Sequence, residues 1–256
     1  MTIYQQQYIQ EIEQVRYILK RGYETHLSVN DNGRASHDTC INHCLLYAFG
    51  ECNEAHTTIC TDCSKLFQLF SNLYNEISSE NHNILRENEE YLYFYLAHQA
   101  RKTYLNSQLK ANLLELDEQG AIIIADYKMR ILPKTARETK EQFFGKHGWT
   151  LHTILIYTKS TDDNLLKLTA YDHWSTDTKQ DAWFTASCFD IVFETIDPKP
   201  KWVRIISDNG PHYHCSELMT IILKWKEWYD IDVKGWIFLE PGEAKTTIDS
   251  HHAQVK

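Results

Sequence analysis

Two aspartates in apolar surroundings are the residues whose type and position could do chemistry. Asp126 follows Ile122–Ile124 in the run AIIIADYKMRIL. A carboxylate inside an apolar strand is costly to bury unless it is paired or holds a metal; the plain alternative is a strand-end Asp capping a turn. Asp208 comes straight after a second apolar run, WVRIIS, in SDNGPHYH. Asp-Asn-Gly alone is ordinary turn chemistry. In an open α/β sheet, however, ligands collect at the carboxyl ends of strands. If these two runs are neighbouring strands, the carboxylates converge at one edge. Converging carboxylates repel unless a divalent cation lies between them, and hard oxygen ligands select Mg²⁺ or Mn²⁺. Such ions could activate water and stabilise the leaving oxygen in phosphodiester cleavage.

A third acid would come from FLEPGEAKTTIDSHHAQVK, where Glu240, Glu243 and Asp249 are the candidates. Pro241 and Gly242 put the first two in a turn, whereas Asp249 lies in a segment able to be helical. Histidines gather near these acids: His212 and His214 after Asp208, His251 and His252 after Asp249. One of them could assist proton transfer or contact phosphate, although at most one of each pair faces the site.

A second chemistry is written in the cysteines. Five of the seven, Cys40, Cys44, Cys52, Cys60 and Cys63, are crowded together. Crowding of this kind favours metal binding. Cys52-x₃-His56-x₃-Cys60-x₂-Cys63 supplies four donors, enough for the tetrahedral shell of a structural zinc. Cys40, His43 and Cys44, on an apolar stretch read as helical, could replace one ligand or help to bind a second ion. The competing reading is a set of buried free thiols.

The elements that position these groups fall into two halves. Residues 4–20 carry Tyr4, Tyr8, Ile12, Val15 and Leu19 at helical spacing, and 28–36 (SVNDNGRAS) reads as a loop. Leu66, Leu69, Phe70 and Leu73 mark a further helix, and 83–116, without Pro or Gly, predicts one long helix or two in tandem. The aromatics Tyr91, Tyr93, Phe94 and Tyr95 read as packing, with base stacking as the alternative. From Gly120 the pattern changes to strands at 121–132, 150–157 and 165–171, a helix at 177–196, a strand at 202–207, a helix at 214–229, a strand at 231–239 and the start of a last helix. The expectation is a mainly helical zinc-binding domain over 1–118, then an α/β domain over 119–256 with a mixed five-stranded sheet flanked by helices.

The chain has 256 residues, 43% hydrophobic and 12% aromatic, which is ample for a packed core. No apolar run is long enough to span a membrane, and the amino terminus lacks the apolar stretch of a secretory signal. The protein is therefore read as intracellular, where seven cysteines do not imply a disulfide framework. A net charge of −9 requires any phosphate binding to rest on a local basic groove or on bound cations.

Taken together, IIIADYK, IISDNGPHYH and EPGEAKTTIDSHHAQVK resemble the three catalytic blocks of DDE/DDD transposases, in the RNase H-like retroviral-integrase superfamily, and look closest to eukaryotic transposon-derived reading frames. The resemblance covers about 119–256, more loosely the cysteine region, and includes Gln180–Asp181. It implies an RNase H-like core, DNA as partner, nuclear action, a possible homo-oligomer, and metal-dependent cleavage and strand transfer. In that family a helix lysine often follows the third acid by seven positions. The spacing of Asp249 and Lys256 gives Asp249 the third acidic role, with Glu243 as runner-up, and makes Lys256 a DNA contact beside His212 and His252. An Asp stands where Glu is commoner, and the chain stops at Lys256 where family members usually continue. A shortened form is therefore expected, and two further functions stay open: a catalytically inactive zinc-containing DNA- or protein-binding module, and a hydrolase of RNA–DNA hybrids.

Overall fold

The structure, a computed structural model, describes residues 3–132, 137–145, 147–160, 165–240 and 246–255. The chain divides into two compact units, Met1–Ala111 and Asn112–Lys256.

In the first unit, α1 (Ile3–Tyr17) runs into a π-helical turn at Ile18–Gly22 and a 3₁₀ turn at Tyr23–His26. The apolar stretch after Cys40 makes only a four-residue helix, α2 (Leu45–Ala48), preceded by a turn. The expected longer helix gives way because Cys40 is drawn into a parallel bridge with Thr58. Two regular helices follow, α3 (Thr61–Glu76) and α4 (His82–Glu115), the latter continuous as its composition predicts. The core of this unit joins Ile18, Tyr23, Leu45, Leu66, Leu92 and Leu96 with Cys40 and Cys63. Cysteine is thus part of the packing rather than a surface feature.

The second unit opens with β1 (Gly120–Ile131), then a short helix α5 (Lys140–Phe144), β2 (Trp149–Lys159) and β3 (Leu166–Ser175). α6 (Ala182–Thr195), β4 (Trp202–Asp208), α7 (Ser216–Ile222), α8 (Trp225–Tyr229), β5 (Asp232–Leu239) and α9 (Thr246–Gln254) complete it. The single helix expected over 214–229 is two, broken at Leu223–Lys224, and α8 ends on Asp230 in the left-handed region at φ 57°. α6 starts later than its apolar pattern suggests, because the Asp181 carboxylate caps it by accepting from the Phe184 N–H at 2.9 Å.

The sheet has the order β3-β2-β1-β4-β5. β2 is antiparallel to both β1 and β3, while β1, β4 and β5 are mutually parallel. This is the mixed five-stranded α/β sheet flanked by helices that the order of elements predicts. Side chains alternate across it. Ala121, Ile123, Ala125, Val203 and Ile205 share a core with Phe189, Phe193 and Trp225 from α6 and α8. The residues between them, Ile122, Ile124, Asp126 and Ile206, belong to the opposite face. α9 packs against β1.

Candidate functional site

Strand pairing builds a polar row across that second face. Asp126 of β1 is the partner of Thr153 in β2, and Thr153 is the partner of Asp172 in β3. On the other side β1 and β4 run parallel with Ile124 opposite Ile206. Asp126 and Asp208 each lie two residues beyond that pair on their own strands, on the same face of the sheet. The row therefore reads Asp172, Thr153, Asp126 across three strands, with Asp208 at the end of β4 on the same face. Asp126 is buried, at 8% exposure, and Asp208 is more open at the strand end.

Local chemistry fixes each carboxylate. Asp208 Oδ1 accepts from the Gly210 N–H at 2.8 Å, which folds Asp-Asn-Gly into a tight turn and aims the carboxylate. A Cβ on Gly210 would lie 2.4 Å from His212 Cε1 and 2.9 Å from Asp208 Oδ1, so only glycine fits that approach. His212 Nε2 stands 3.4 Å from Asp208 Oδ1, with its ring edge-on to Tyr127 and Tyr213. Beneath the row, burial pushes Tyr213 well above its ordinary pKa and holds His152 well below its own. Both stay neutral, and the Tyr213 hydroxyl and His152 Nε2 share a hydrogen bond of 2.8 Å. Tyr127 and Thr185 share a hydroxyl bond of 2.8 Å.

α9 lies over β1 and is tied down at three points. Lys128 Nζ donates to the carbonyls of His252 and Val255, the end of the helix that favours a cation. His251 Nε2 meets Asp172 Oδ2 at 2.9 Å. His252 Nε2 is 2.9 Å from Thr153 Oγ1, and its Nδ1 is 3.9 Å from Asp126 Oδ2. Burial, aided by Lys128 and His251, lowers the His252 pKa to about 4. The ring is neutral at pH 7, so its approach to Asp126 is not an ion pair.

The expected residues are thus placed as follows. Asp126 and Asp208 share a face of the sheet. Asp249 is on α9 but exposed, and the three aspartates do not form a set of oxygens within 4.8 Å of one another among the described residues. His212, expected to meet DNA, lies beside Asp208 with its ring against Tyr127, and His252, expected likewise, lies beside Asp126 and Thr153. Glu243 and Lys256 lie outside the described residues. Asp172, Thr153 and Lys128 were not singled out in the sequence; they are polar residues in strands, and only cross-strand pairing gives them meaning.

The first unit holds two groups of four soft donors, each with all ligand atoms within 4.8 Å: His37, Cys44, Cys52 and His56, and Cys40, His43, Cys60 and Cys63. Either group is able to hold a zinc ion. The single expected set of Cys52, His56, Cys60 and Cys63 is therefore divided. The bridge between Cys40 and Thr58 carries Cys40 to Cys60, while Cys52 and His56 face His37 and Cys44. A third group lies in the second unit, with His152 and Cys188 buried and His173 half-buried. Its nitrogens are already engaged in part: His152 Nε2 is hydrogen-bonded with the Tyr213 hydroxyl, and His173 Nδ1 is 3.3 Å from the His152 carbonyl.

No family model matches the chain, and no curated protein matches it. A solved structure described as "Crystal structure of the Mos1 Strand Transfer Complex" aligns over 86% of this chain and 84% of its own, at 12% identity and a TM-score of 0.30. Likeness at that level carries no weight for function; the fold class rests on the strand pairing of this chain.

Proposed function

We propose that the second unit is a transposase-like, metal-dependent phosphodiester cleavage and strand-transfer domain acting on DNA in the nucleus, with Asp126 and Asp208 as its metal-binding carboxylates. One observation carries this reading: β1 and β4 are parallel neighbours, and both carboxylates lie two residues beyond the Ile124–Ile206 pair on the same face. Hard oxygen donors on adjacent strands fit Mg²⁺ or Mn²⁺. Such an ion supplies an activated water and a counter-charge for the leaving oxygen. Asp208 is held by the Gly210 amide and flanked by His212, and Asp126 is shielded by neutral His252. His212, partly open beside Asp208, is the residue placed to exchange a proton there. Asp249 is carried on the docked helix α9 and, with Glu243 as runner-up, is the third acid in this reading. Lys256 would contact the DNA backbone. The active form would be a homo-oligomer.

The test is nicking of a supercoiled DNA plasmid with Mg²⁺ or Mn²⁺. Cleavage should fall to background in Asp126→Asn and in Asp208→Asn, with native tryptophan emission kept. A separate observation favours a second reading, a non-catalytic zinc-containing DNA- or protein-binding module: Asp249 is exposed and does not close a three-acid set. Zinc in the purified chain without cleavage under either cation would decide for the module. A preference for RNA–DNA hybrids over DNA duplex would make it a hybrid nuclease.

A further inference from the structure

We infer that residues 37–63 bind two zinc ions with interleaved ligands, one on His37, Cys44, Cys52 and His56 and the other on Cys40, His43, Cys60 and Cys63. The distances are those of ligand shells. Zinc bound at about 2.3 Å to sulfur and 2.0–2.1 Å to nitrogen sets a sulfur–nitrogen edge of about 3.6 Å in a tetrahedron. In the first group His37 Nδ1 is 3.3 Å from Cys52 Sγ and 3.8 Å from Cys44 Sγ, and Cys52 Sγ is 3.9 Å from His56 Nε2. In the second, Cys63 Sγ is 3.4 Å from His43 Nε2. None of the five sulfurs is in a disulfide.

Backbone amides serve the sulfurs in the way bound thiolates require, since a charged acceptor makes the stronger hydrogen bond. The Cys63 N–H donates to Cys60 Sγ at 3.3 Å, the Cys60 N–H to Cys40 Sγ at 3.5 Å, and the Tyr47 N–H to Cys44 Sγ at 3.4 Å. The second group is a pair of x₂ turns, Cys40 to His43 and Cys60 to Cys63, brought face to face by the Cys40–Thr58 bridge. Outer partners are also in place. His37 turns its other nitrogen to Glu54 at 4.0 Å, and His43 stacks on His26, which meets Asp62 at 3.3 Å. Glu54 thus lies on the side of the His37 ring away from the sulfurs, where a carboxylate favours a ligating imidazole electrostatically. Sulfur and imidazole in fours select zinc over the hard cations that suit Asp126 and Asp208.

Along the chain the first group's His37 and Cys44 enclose Cys40 and His43 of the second, while Cys60 and Cys63 of the second follow Cys52 and His56. Neither site can form from a separate stretch, so the ions close the segment as one unit. The site differs from the acidic row in donors and in metal, and a failure of the cleavage reading leaves it untouched.

The experiment is zinc stoichiometry on the full chain purified without chelator, joined to X-ray absorption at the zinc edge. Two zinc ions per chain are expected, with a mean shell of five sulfurs and three nitrogens over the two ions. The double substitution His37→Ala/His56→Ala should lower the ratio from two to one, and the remaining ion should show three sulfurs and one nitrogen. A ratio of one in the unaltered chain overturns the inference, because it restores a single site drawn from Cys52, His56, Cys60 and Cys63. So does a ratio that stays at two in the double variant. If that variant fails to fold, the spectrum of the unaltered chain still decides: a shell containing oxygen, or a single zinc, is the opposing result.

Discussion

His252 ties the stability of the second unit to pH, and the size of the effect can be worked from its surroundings. Burial first, then Lys128 of β1 and His251 of the same helix, lowers its pKa from 6.5 to about 4, against the opposing pull of Asp172 and Asp249. Asp126 also faces the ring at 3.9 Å. Below pH 6.5 the unfolded chain takes up this proton while the folded chain does not until about pH 4. The contribution is thus complete above 6.5 and is lost as pH falls toward the folded value. By linkage it costs about 2 kcal/mol between pH 7 and pH 5, and about 3 kcal/mol in the limit below pH 4. The perturbation is His252→Gln, which keeps a polar group for Thr153 but cannot titrate. All seven tryptophans lie in the second unit, so tryptophan emission in urea reports that unit alone. The difference in unfolding free energy between pH 7 and pH 5 should shrink by about 2 kcal/mol in the variant. Equal pH dependence in the two proteins would refute a buried neutral His252, and with it the docking of α9 on Asp126 and Thr153.

Other perturbations test the same architecture. Lys128→Met removes the cation from the carbonyls at the end of α9; it should cost about 1.5–3 kcal/mol and speed amide exchange across 246–255. Gly210→Ala forces a methyl against His212 and Asp208, so metal-dependent nicking should fall sharply while the urea midpoint moves little. Phe189→Ala, emptying a fully buried site among Phe193, Trp225 and Trp236, should destabilise the second unit by about 3–5 kcal/mol in the same urea assay. A strong chelator should lower the helical circular dichroism of the first unit while tryptophan emission is unchanged, since metal binding and folding are coupled there.

The sequence was most legible where one physical signal dominates. Continuous apolar runs mark β1, β2 and β4, because these strands are buried on both faces. A long stretch without Gly or Pro marks α4. Asp126 and Asp208 could be picked out because a carboxylate at the end of an apolar run is an energetic anomaly. Asp172 could not, since a polar residue in the half-exposed strand β3 is no anomaly until Thr153 and His251 are placed beside it. The break between α7 and α8 was hidden for the same kind of reason: the apolar spacing of Leu218, Ile222 and Trp225 runs through it without a Gly or Pro. Among the soft donors, Cys60-x₂-Cys63 was visible as a pair. Cys40, His43 and Cys44 were visible as further donors, but which of them joins Cys60 and Cys63 was not, because a bridge between residues 40 and 58, not spacing, selects Cys40 and His43. His37, three residues before Cys40, has nothing in its spacing to show that it joins Cys44 and Cys52 instead.

The order of those donors has a consequence for a broken chain. Gly50, exposed and with φ at +74°, sits in the loop between Cys44 and Cys52. A protease cutting after it would leave His37 and Cys44 of one group on one fragment and Cys52 and His56 on the other; Cys40 and His43 would likewise part from Cys60 and Cys63. Each ion would then hold two donors from either piece. The nicked protein should run as one species in native conditions and come apart only when the metal is stripped, so that coordination takes over the covalent continuity the cut removed.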